Sequence, residues 1–297
     1  MASFSNSAKT EICGNLRAGG YRAFLTGVLL AARRFSADEI VLQTECEAFA
    51  ALLPQIMQKV MRQLPVDTEC RKRTGKQAVW SFRIPDAESV RTLTDSLEIT
   101  PENRTGILRK IGSFPAVAAG CFVLGGSVTD PERGYHLELV LPDAAAADTV
   151  QEMLAGYQPP VMMKKTVRKG DSILYLKQNE QICDALTFFG APNASMSMAE
   201  QQVYKSIRSQ TNRRTNCDLA NIDKTVTAGA QQVADIQKII AEMGLDRLPE
   251  TLQEIARVRL ADPEANLRDL GAMCNPPLSR SGVHHRLQRI SEIAKKL

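Results

Sequence analysis

The sequence lacks paired cysteines, long apolar runs and a strong excess of charge, and each of these absences excludes a class of protein. Its seven cysteines stand singly, without the C-x-x-C pairs that hold zinc or a disulfide framework. The longest apolar stretches, 23–32 and 114–126, fall short of the ~20 residues that span a bilayer. The net charge of +4 does not by itself demand a nucleic-acid partner. We therefore expect a cytoplasmic protein with no membrane segment.

The first 190 or so residues contain the same unit twice. Each copy opens with a helix of small and apolar residues, in which Gly27 and Gly120 hold equivalent positions. The copies share one order of elements: opening helices at 21–33 and 114–127, strands at 39–45 and 135–141, apolar helices at 49–64 and 144–157, hairpins turning at 74–76 and 169–171, and closing helices at 87–97 and 179–189. This order predicts an α+β domain with pseudo-twofold symmetry.

The remainder of the chain has the pattern of an all-α domain. One long helix is predicted to end near Gly244, and we interpret its apolar stripe as core packing. That stripe consists of Ile222, Val226, Val233, Ile236 and Ile240. The sequence therefore predicts a duplicated domain at 1–190, a linker at 191–200 and a helical domain at 201–297.

Three shorter helices are predicted at the end of the chain, separated by residues that stop or start helices. Pro249 suits a first turn, and 262–263 (Asp-Pro) ends the helix that begins there. Asn266 is placed to cap the next helix, 275–277 (Asn-Pro-Pro) enforces a turn, and Ser279 can cap the last helix. This spacing predicts a helix-turn-helix at 264–297.

The last helix is predicted to be amphipathic, with a hydrogen-bonding face that could enter a major groove of DNA. Its apolar face comprises Val283, Leu287, Ile290, Ala294 and Leu297. Compensation of the helix dipole explains Lys295 and Lys296, but not the basic residues of the first turns. We therefore predict binding to double-stranded DNA through Ser279, Arg280, Ser281, His284, His285, Arg286, Gln288 and Arg289.

Two runs of the sequence resemble one known family. The run 276–287, PPLSRSGVHHRL, resembles the C-terminal signature of the WhiA proteins, DNA-binding regulators of sporulation and cell division in Gram-positive bacteria. The run 212–224, NRRTNCDLANIDK, resembles the other signature of that family. The resemblance covers nearly the whole chain and implies a domain related to LAGLIDADG homing endonucleases, joined to a helix-turn-helix similar to that of sigma factors. At position 284, where the family usually has asparagine, this chain has histidine.

The polar side chains of the second run leave two interpretations open. They can contact the DNA backbone or another domain, or the asparagines can act as caps and turn formers. The residues concerned are Asn212, Arg213, Arg214, Asn216, Asn221 and Lys224.

The resemblance to homing endonucleases raises the question of nuclease chemistry, which needs an acidic residue near the end of each signature helix to hold divalent metal ions. Alignment on the two helix glycines places these positions at Ala32 and Gly125. Asp130 and Glu132 lie further on, in a predicted loop. We therefore expect no enzyme activity, no catalytic residues, no metal site and no cofactor.

Two weaker chemical patterns do not change this expectation. The glycines of 120–127 imitate a Walker A motif, but Gly126 stands at the position of its lysine. The three histidines, His136, His284 and His285, offer no metal-binding constellation, because neighbouring helix positions point about 100° apart.

The leading hypothesis is a sequence-specific, nucleoid-associated transcriptional regulator of duplex DNA. The family resemblance implies roles in cell division, chromosome segregation or sporulation, with a WhiB-like regulator as partner in actinobacterial relatives. One alternative is an active homing-type endonuclease, which requires acids other than those missing at Ala32 and Gly125 to fill the metal site. Another is a ligand-sensing regulator, for which the sequence shows no convergent polar cluster.

Overall fold

The computed structural model describes residues 3–61, 64–72 and 77–297. The chain divides into two compact units, Met1–Lys205 and Ser206–Leu297. The first unit combines helices with two β-sheets, whereas the second is helical, which confirms the predicted fold class. In the part of the chain with described coordinates, no helix is both long enough and apolar enough to cross a membrane.

The first copy of the duplicated unit follows an additional N-terminal helix, α1 (Phe4–Asn15), which the sequence pattern did not predict. Its strands form an antiparallel sheet in the order β1-β2-β4-β3. The predicted hairpin turn at 74–76 lies outside the described residues. The elements are α2 (Tyr21–Leu30), β1 (Arg34–Phe35), β2 (Ile40–Thr44), α3 (Glu47–Met61), β3 (Asp67–Arg71), β4 (Val79–Ile84) and α4 (Ala87–Leu97).

The second copy repeats this arrangement, with an antiparallel sheet in the order β5-β6-β8-β7. Its hairpin turns at Lys169 and Gly170, which have φ angles of 55° and 90°, so glycine stands where a left-handed conformation is required. The identical strand orders confirm the internal duplication. The elements are α5 (Phe114–Gly125), β5 (Gly126–Val128), β6 (Leu137–Leu141), α6 (Ala144–Ala155), β7 (Lys164–Arg168), β8 (Asp171–Leu176) and α7 (Asn179–Phe189).

Strand alternation gives each sheet one covered face and one open face. On β2, Ile40 and Leu42 are buried while Gln43 is exposed, and on β6 the alternate leucines are fully buried. The buried side chains join those of α2 and α5 in one apolar core, which contains Phe24 and Phe122. Each sheet therefore packs one face on the core that contains the two opening helices and leaves the other face open.

The opening helices α2 and α5 pack at very short range because glycines face each other's backbone. A Cβ atom added at Gly27 would lie 1.9 Å from the carbonyl oxygen of Val117. One added at Gly120 would lie 2.1 Å from the carbonyl oxygen of Phe24. The two glycines, which the repeat predicts to be equivalent, therefore play the same part: each allows the close contact between α2 and α5.

The remaining helices are α8 (Pro192–Glu242), α9 (Glu250–Ala261), α10 (Leu267–Ala272) and α11 (Arg280–Ala294). The division between the two units falls within α8. The segment predicted as a linker, 191–200, is helical from Pro192 onward.

The interpretation of the α8 stripe as core is wrong for most of its members. Ile236 is fully buried, but Ile222, Val226 and Ile240 are 59%, 54% and 42% exposed. The core of the second unit includes only Ile236 and Ile239 of α8, together with side chains of the three later helices. Helical spacing identifies a continuous apolar face, whereas burial requires another element to pack on it.

Candidate nucleic-acid interface

Helices α10 and α11 begin at the caps that the sequence predicts. The Asn266 side chain accepts hydrogen bonds from the backbone N–H groups of Arg268 and Asp269, at 2.9 and 3.1 Å. The Ser279 hydroxyl accepts one from Gly282, at 3.2 Å. These bonds satisfy backbone donors that a helix start leaves free, and they define the two helices of the helix-turn-helix.

The turn between these helices passes directly over α10. The backbone N–H of Leu278 donates to the carbonyl oxygen of Gly271 at 2.8 Å. A Cβ atom at Gly271 would lie 2.3 Å from the carbonyl oxygen of Leu278, so a larger residue would displace the turn. The close approach of the turn to α10 therefore requires glycine at position 271.

The apolar face of α11 sets its rotation. Val283, Leu287, Ile290 and Ala294 are each at most 2% exposed and belong to the core of the second unit. Leu297, predicted on the same face, follows the end of α11 and is 48% exposed, so that assignment is wrong.

The opposite side of α11 presents most of the predicted DNA-binding side chains to solvent. Six of the eight candidates are exposed. Among the described residues, their side chains form one internal hydrogen bond, in which the hydroxyls of Ser281 and Ser279 lie 3.1 Å apart. These six exposed residues are Arg280, Ser281, His284, His285, Gln288 and Arg289.

The other two candidates have structural roles. Ser279 is the N-cap of α11. Arg286 is only partly exposed, donates from Nη1 to the carbonyl oxygen of Thr251 at 3.2 Å, and lies 3.7 Å from the carboxylate of Glu254. Arg286 therefore joins α11 to α9. Its side chain points toward the protein, which its position in the sequence did not indicate.

The polar run 212–224 lies in the interior of α8, and all of its residues are exposed. Each is more than four turns from either end of that helix, so the asparagines are neither caps nor turn formers. At about 100° per residue, Arg214, Asn221 and Lys224 share one side of the helix. This placement within α8 argues against the interpretation as caps and turn formers, while a contact with the DNA backbone or with another domain stays a prediction.

A groove of about 520 Å³ lies between this side of α8 and the starts of α10 and α11. Lys224, Arg268, Arg280 and His284 line it together with the buried Arg259. Arg259 and Arg268 were not singled out from the sequence, because their proximity to Lys224 arises only when the helices pack.

The second candidate region lies where α2 and α5 end. A cavity of about 440 Å³ there is lined by Arg33 and Arg34, among others. Ala32 is 1% exposed, and a Cβ atom at Gly125 would lie 2.5 Å from the carbonyl oxygen of Val140. The two positions at which a nuclease would carry acids are thus tightly packed. Arg33 forms a salt bridge with Asp171 at 3.1 Å.

The acids that follow in the sequence have a local role. The Asp130 carboxylate accepts a hydrogen bond from the backbone N–H of Glu132 at 2.9 Å, and both side chains are exposed in a loop. Within the described ranges, no group of three or more histidine, cysteine, aspartate or glutamate side chains is arranged to hold a metal ion.

Comparison with known proteins identifies both parts of the chain. Residues 114–208 match the model of the WhiA LAGLIDADG-like domain, and residues 211–294 match that of the WhiA C-terminal HTH domain. A probable cell division protein WhiA from Desulfitobacterium hafniense is 32% identical over 310 residues, covering 99% of this chain and 96% of the relative. This chain belongs to the WhiA family.

Two further relatives agree with this assignment. The WhiA protein of Clostridium tetani is 31% identical over 314 residues, covering 99% of this chain and 98% of its own length. The crystal structure of full-length WhiA from Thermotoga maritima covers 100% of this chain and 99% of its own, with a TM-score of 0.58 at 23% identity. The latter likeness shows that the chain has the WhiA fold. The resemblance drawn from the two sequence runs is confirmed.

Proposed function

We propose that this WhiA-family protein is a sequence-specific transcriptional regulator that reads duplex DNA through the exposed side of α11. The observation that carries the proposal is the rotation of α11, which buries one face and leaves six hydrogen-bonding residues in solvent. An α-helix fits the major groove, where each base pair presents its own pattern of donors and acceptors. By family membership we extend the proposal to regulation of cell division, chromosome segregation or sporulation on the nucleoid.

Three side chains of α11 are suited to base edges. Arginine donates two hydrogen bonds to guanine, which fits Arg289, and glutamine pairs with adenine, which fits Gln288. His285 lies one turn before these residues on the same side. We assign no catalytic role to the protein. As a protein partner we propose another regulator, which in actinobacterial relatives would be of the WhiB type.

The test separates base contacts from general attraction to phosphate. We expect His285→Ala and Arg289→Ala to weaken binding to a preferred site by roughly 1–3 kcal/mol each, with a smaller effect on random duplex. Lys295→Ala and Lys296→Ala, which lie beyond α11, provide the matched control and should weaken both duplexes equally. The preferred site is first selected from random duplexes with the wild-type protein, and affinities are measured by fluorescence anisotropy.

Equal losses on preferred and random duplex for all four variants would show that α11 does not read bases. Failure of the wild-type protein to retain any duplex would contradict the proposed function itself.

A further inference from the structure

The groove between α8 and the helix-turn-helix is lined by an excess of positive charge. Its lining residues include four permanent cations, Lys224, Arg259, Arg268 and Arg280, and no carboxylate. None of these four forms a salt bridge with another described residue. Cations held together in a concave site repel one another, and an anion between them removes that repulsion.

One of the four cations, Arg259, also has a hydrogen-bond donor without a partner among the described residues. Its side chain is 2% exposed, and Nη1 donates to the carbonyl oxygens of Pro263 and Ala265, at 3.2 and 2.7 Å. Its Nε atom is buried without a hydrogen-bond partner among the described residues. Burial lowers the pKa of this guanidinium, although Asp262 acts in the opposite direction. A buried cation with a free donor is costly unless an acceptor completes it.

Gln232, which also lines the groove, carries a second unsatisfied atom. Gln232 Oε1 is buried and has no donor within hydrogen-bond distance in the described part of the chain. A water molecule can donate one hydrogen to this oxygen and its other hydrogen to an anion. Arg259 and Gln232 therefore leave two hydrogen-bonding groups of the groove wall without a partner among the described residues.

We propose that this groove is a phosphate-binding site that holds one phosphate group of the DNA backbone beside the bases read by α11. The proposal rests on the proposed function and deepens it. Arg280 and His284 line the groove and also belong to the exposed side of α11, so a phosphate held here lies next to the base-reading residues. Such a contact positions the helix in the major groove and carries no sequence information of its own.

The site also assigns a function to part of the polar run of α8. Lys224 is the last residue of that run, and it contributes to the groove together with Thr225 of the same helix. Asn221 and Arg214 continue this side of α8 toward the start of the helix, about one and three turns away from Lys224. The run and the helix-turn-helix therefore form one DNA-binding surface within the second unit.

The experiment uses the full chain with Lys224→Gln and Arg268→Gln. Arg247→Gln is the matched control, because it removes the same charge from an exposed residue outside the groove. Duplex affinity is measured over a range of salt concentrations. Loss of the one phosphate contact should make the slope of log affinity against log salt less negative by at most about 0.9, in either single variant or in the double variant, and equally on preferred and random duplex. The control should leave the slope unchanged.

A second measurement locates the phosphate. Single phosphates of the preferred duplex are replaced in turn by neutral methylphosphonates. The wild-type protein should lose affinity at one position beside the contacted bases. At that position the Lys224→Gln, Arg268→Gln double variant should show no further loss.

Each remaining outcome overturns the assignment in a different way. Groove variants that match Arg247→Gln, with a wild-type protein that binds DNA, would leave the proposed function standing and exclude the groove. A wild-type protein without affinity for duplex would overturn both. Inorganic phosphate that shifts the NMR signals of groove residues, combined with unchanged DNA affinity of Lys224→Gln, would assign the groove to free phosphate.

Discussion

Gly27 and Gly120 are the residues on which the packing of the first unit depends most directly. Each lies on an opening helix and faces the backbone of the other, at distances that leave no space for a Cβ atom. Gly14, on the exposed side of α1, has no heavy atom within 4 Å of such a Cβ. A side chain added at Gly120 would therefore clash with the neighbouring helix, whereas one added at Gly14 would meet no neighbouring atom.

We predict that Gly120→Ala lowers the free energy of unfolding by roughly 1–3 kcal/mol or more, because the added methyl group overpacks the contact between α2 and α5. Gly14→Ala is the control and should raise it by up to ~1 kcal/mol, since alanine favours a helix. Urea-induced unfolding followed by circular dichroism measures both. Equal stability of Gly120→Ala and the wild-type protein would mean that the helices lie further apart than described.

At the scale of elements, the start of α8 shows how one helix depends on another. Pro192, its first residue, has no backbone N–H to satisfy. The N–H groups of Asn193 and Ala194 donate to the two carboxylate oxygens of Glu11, at 2.7 and 3.0 Å. A negative charge at a helix start also interacts favourably with the helix dipole. Glu11 belongs to α1, so this cap comes from far away in the sequence.

We predict that Glu11→Ala lowers the free energy of unfolding by about 0.5–2 kcal/mol, as loss of a helix cap does elsewhere. Glu200→Ala, which removes an exposed carboxylate from α8 itself, should have little effect. Thermal unfolding and amide hydrogen exchange at the start of α8 check this. Unchanged protection of Ala194 in Glu11→Ala would contradict the capping role.

The caps of α10 and α11 differ from that of α8 in being visible in the sequence. The capping bonds of Asn266 and Ser279 do not depend on the tertiary structure, since each side chain accepts from backbone N–H groups two or three residues further on. Such local patterns can be recognised without knowledge of the fold. The side chain of Arg286 illustrates the limit of this approach. Its contact with Glu254 depends on the packing of α9 against α11, which no local pattern contains.

For the whole molecule, the central question is whether the LAGLIDADG-like domain retains chemistry. We predict no cleavage of supercoiled DNA by the purified protein in magnesium or manganese, because metal-activated water requires anionic ligands near Ala32 and Gly125. We also predict that Gly125→Asp does not create activity, since its Cβ atom would lie 2.5 Å from the carbonyl oxygen of Val140.

Agarose gels of plasmid incubated with each metal ion test this prediction. Nicking that co-purifies with the protein and disappears in Asp130→Ala or Glu132→Ala would show that the loop acids serve a metal site and would support an endonuclease. Nicking that persists in both variants would be attributed to a contaminant and checked with protein from a second purification.

The sequence by itself determined the features that depend on neighbouring residues: the order of the longer elements in both copies, the caps of the last two helices and the apolar side of α11. It did not predict the short strands β1 and β5. Periodicity and capping involve residues close in the sequence, so they can be recognised without knowledge of the fold. Only the tertiary structure decided which part of α8 is buried, that Glu11 caps it, and that Lys224 and Arg259 share a groove with α11. These features join residues distant in the chain, and their contacts exist only once the helices have packed.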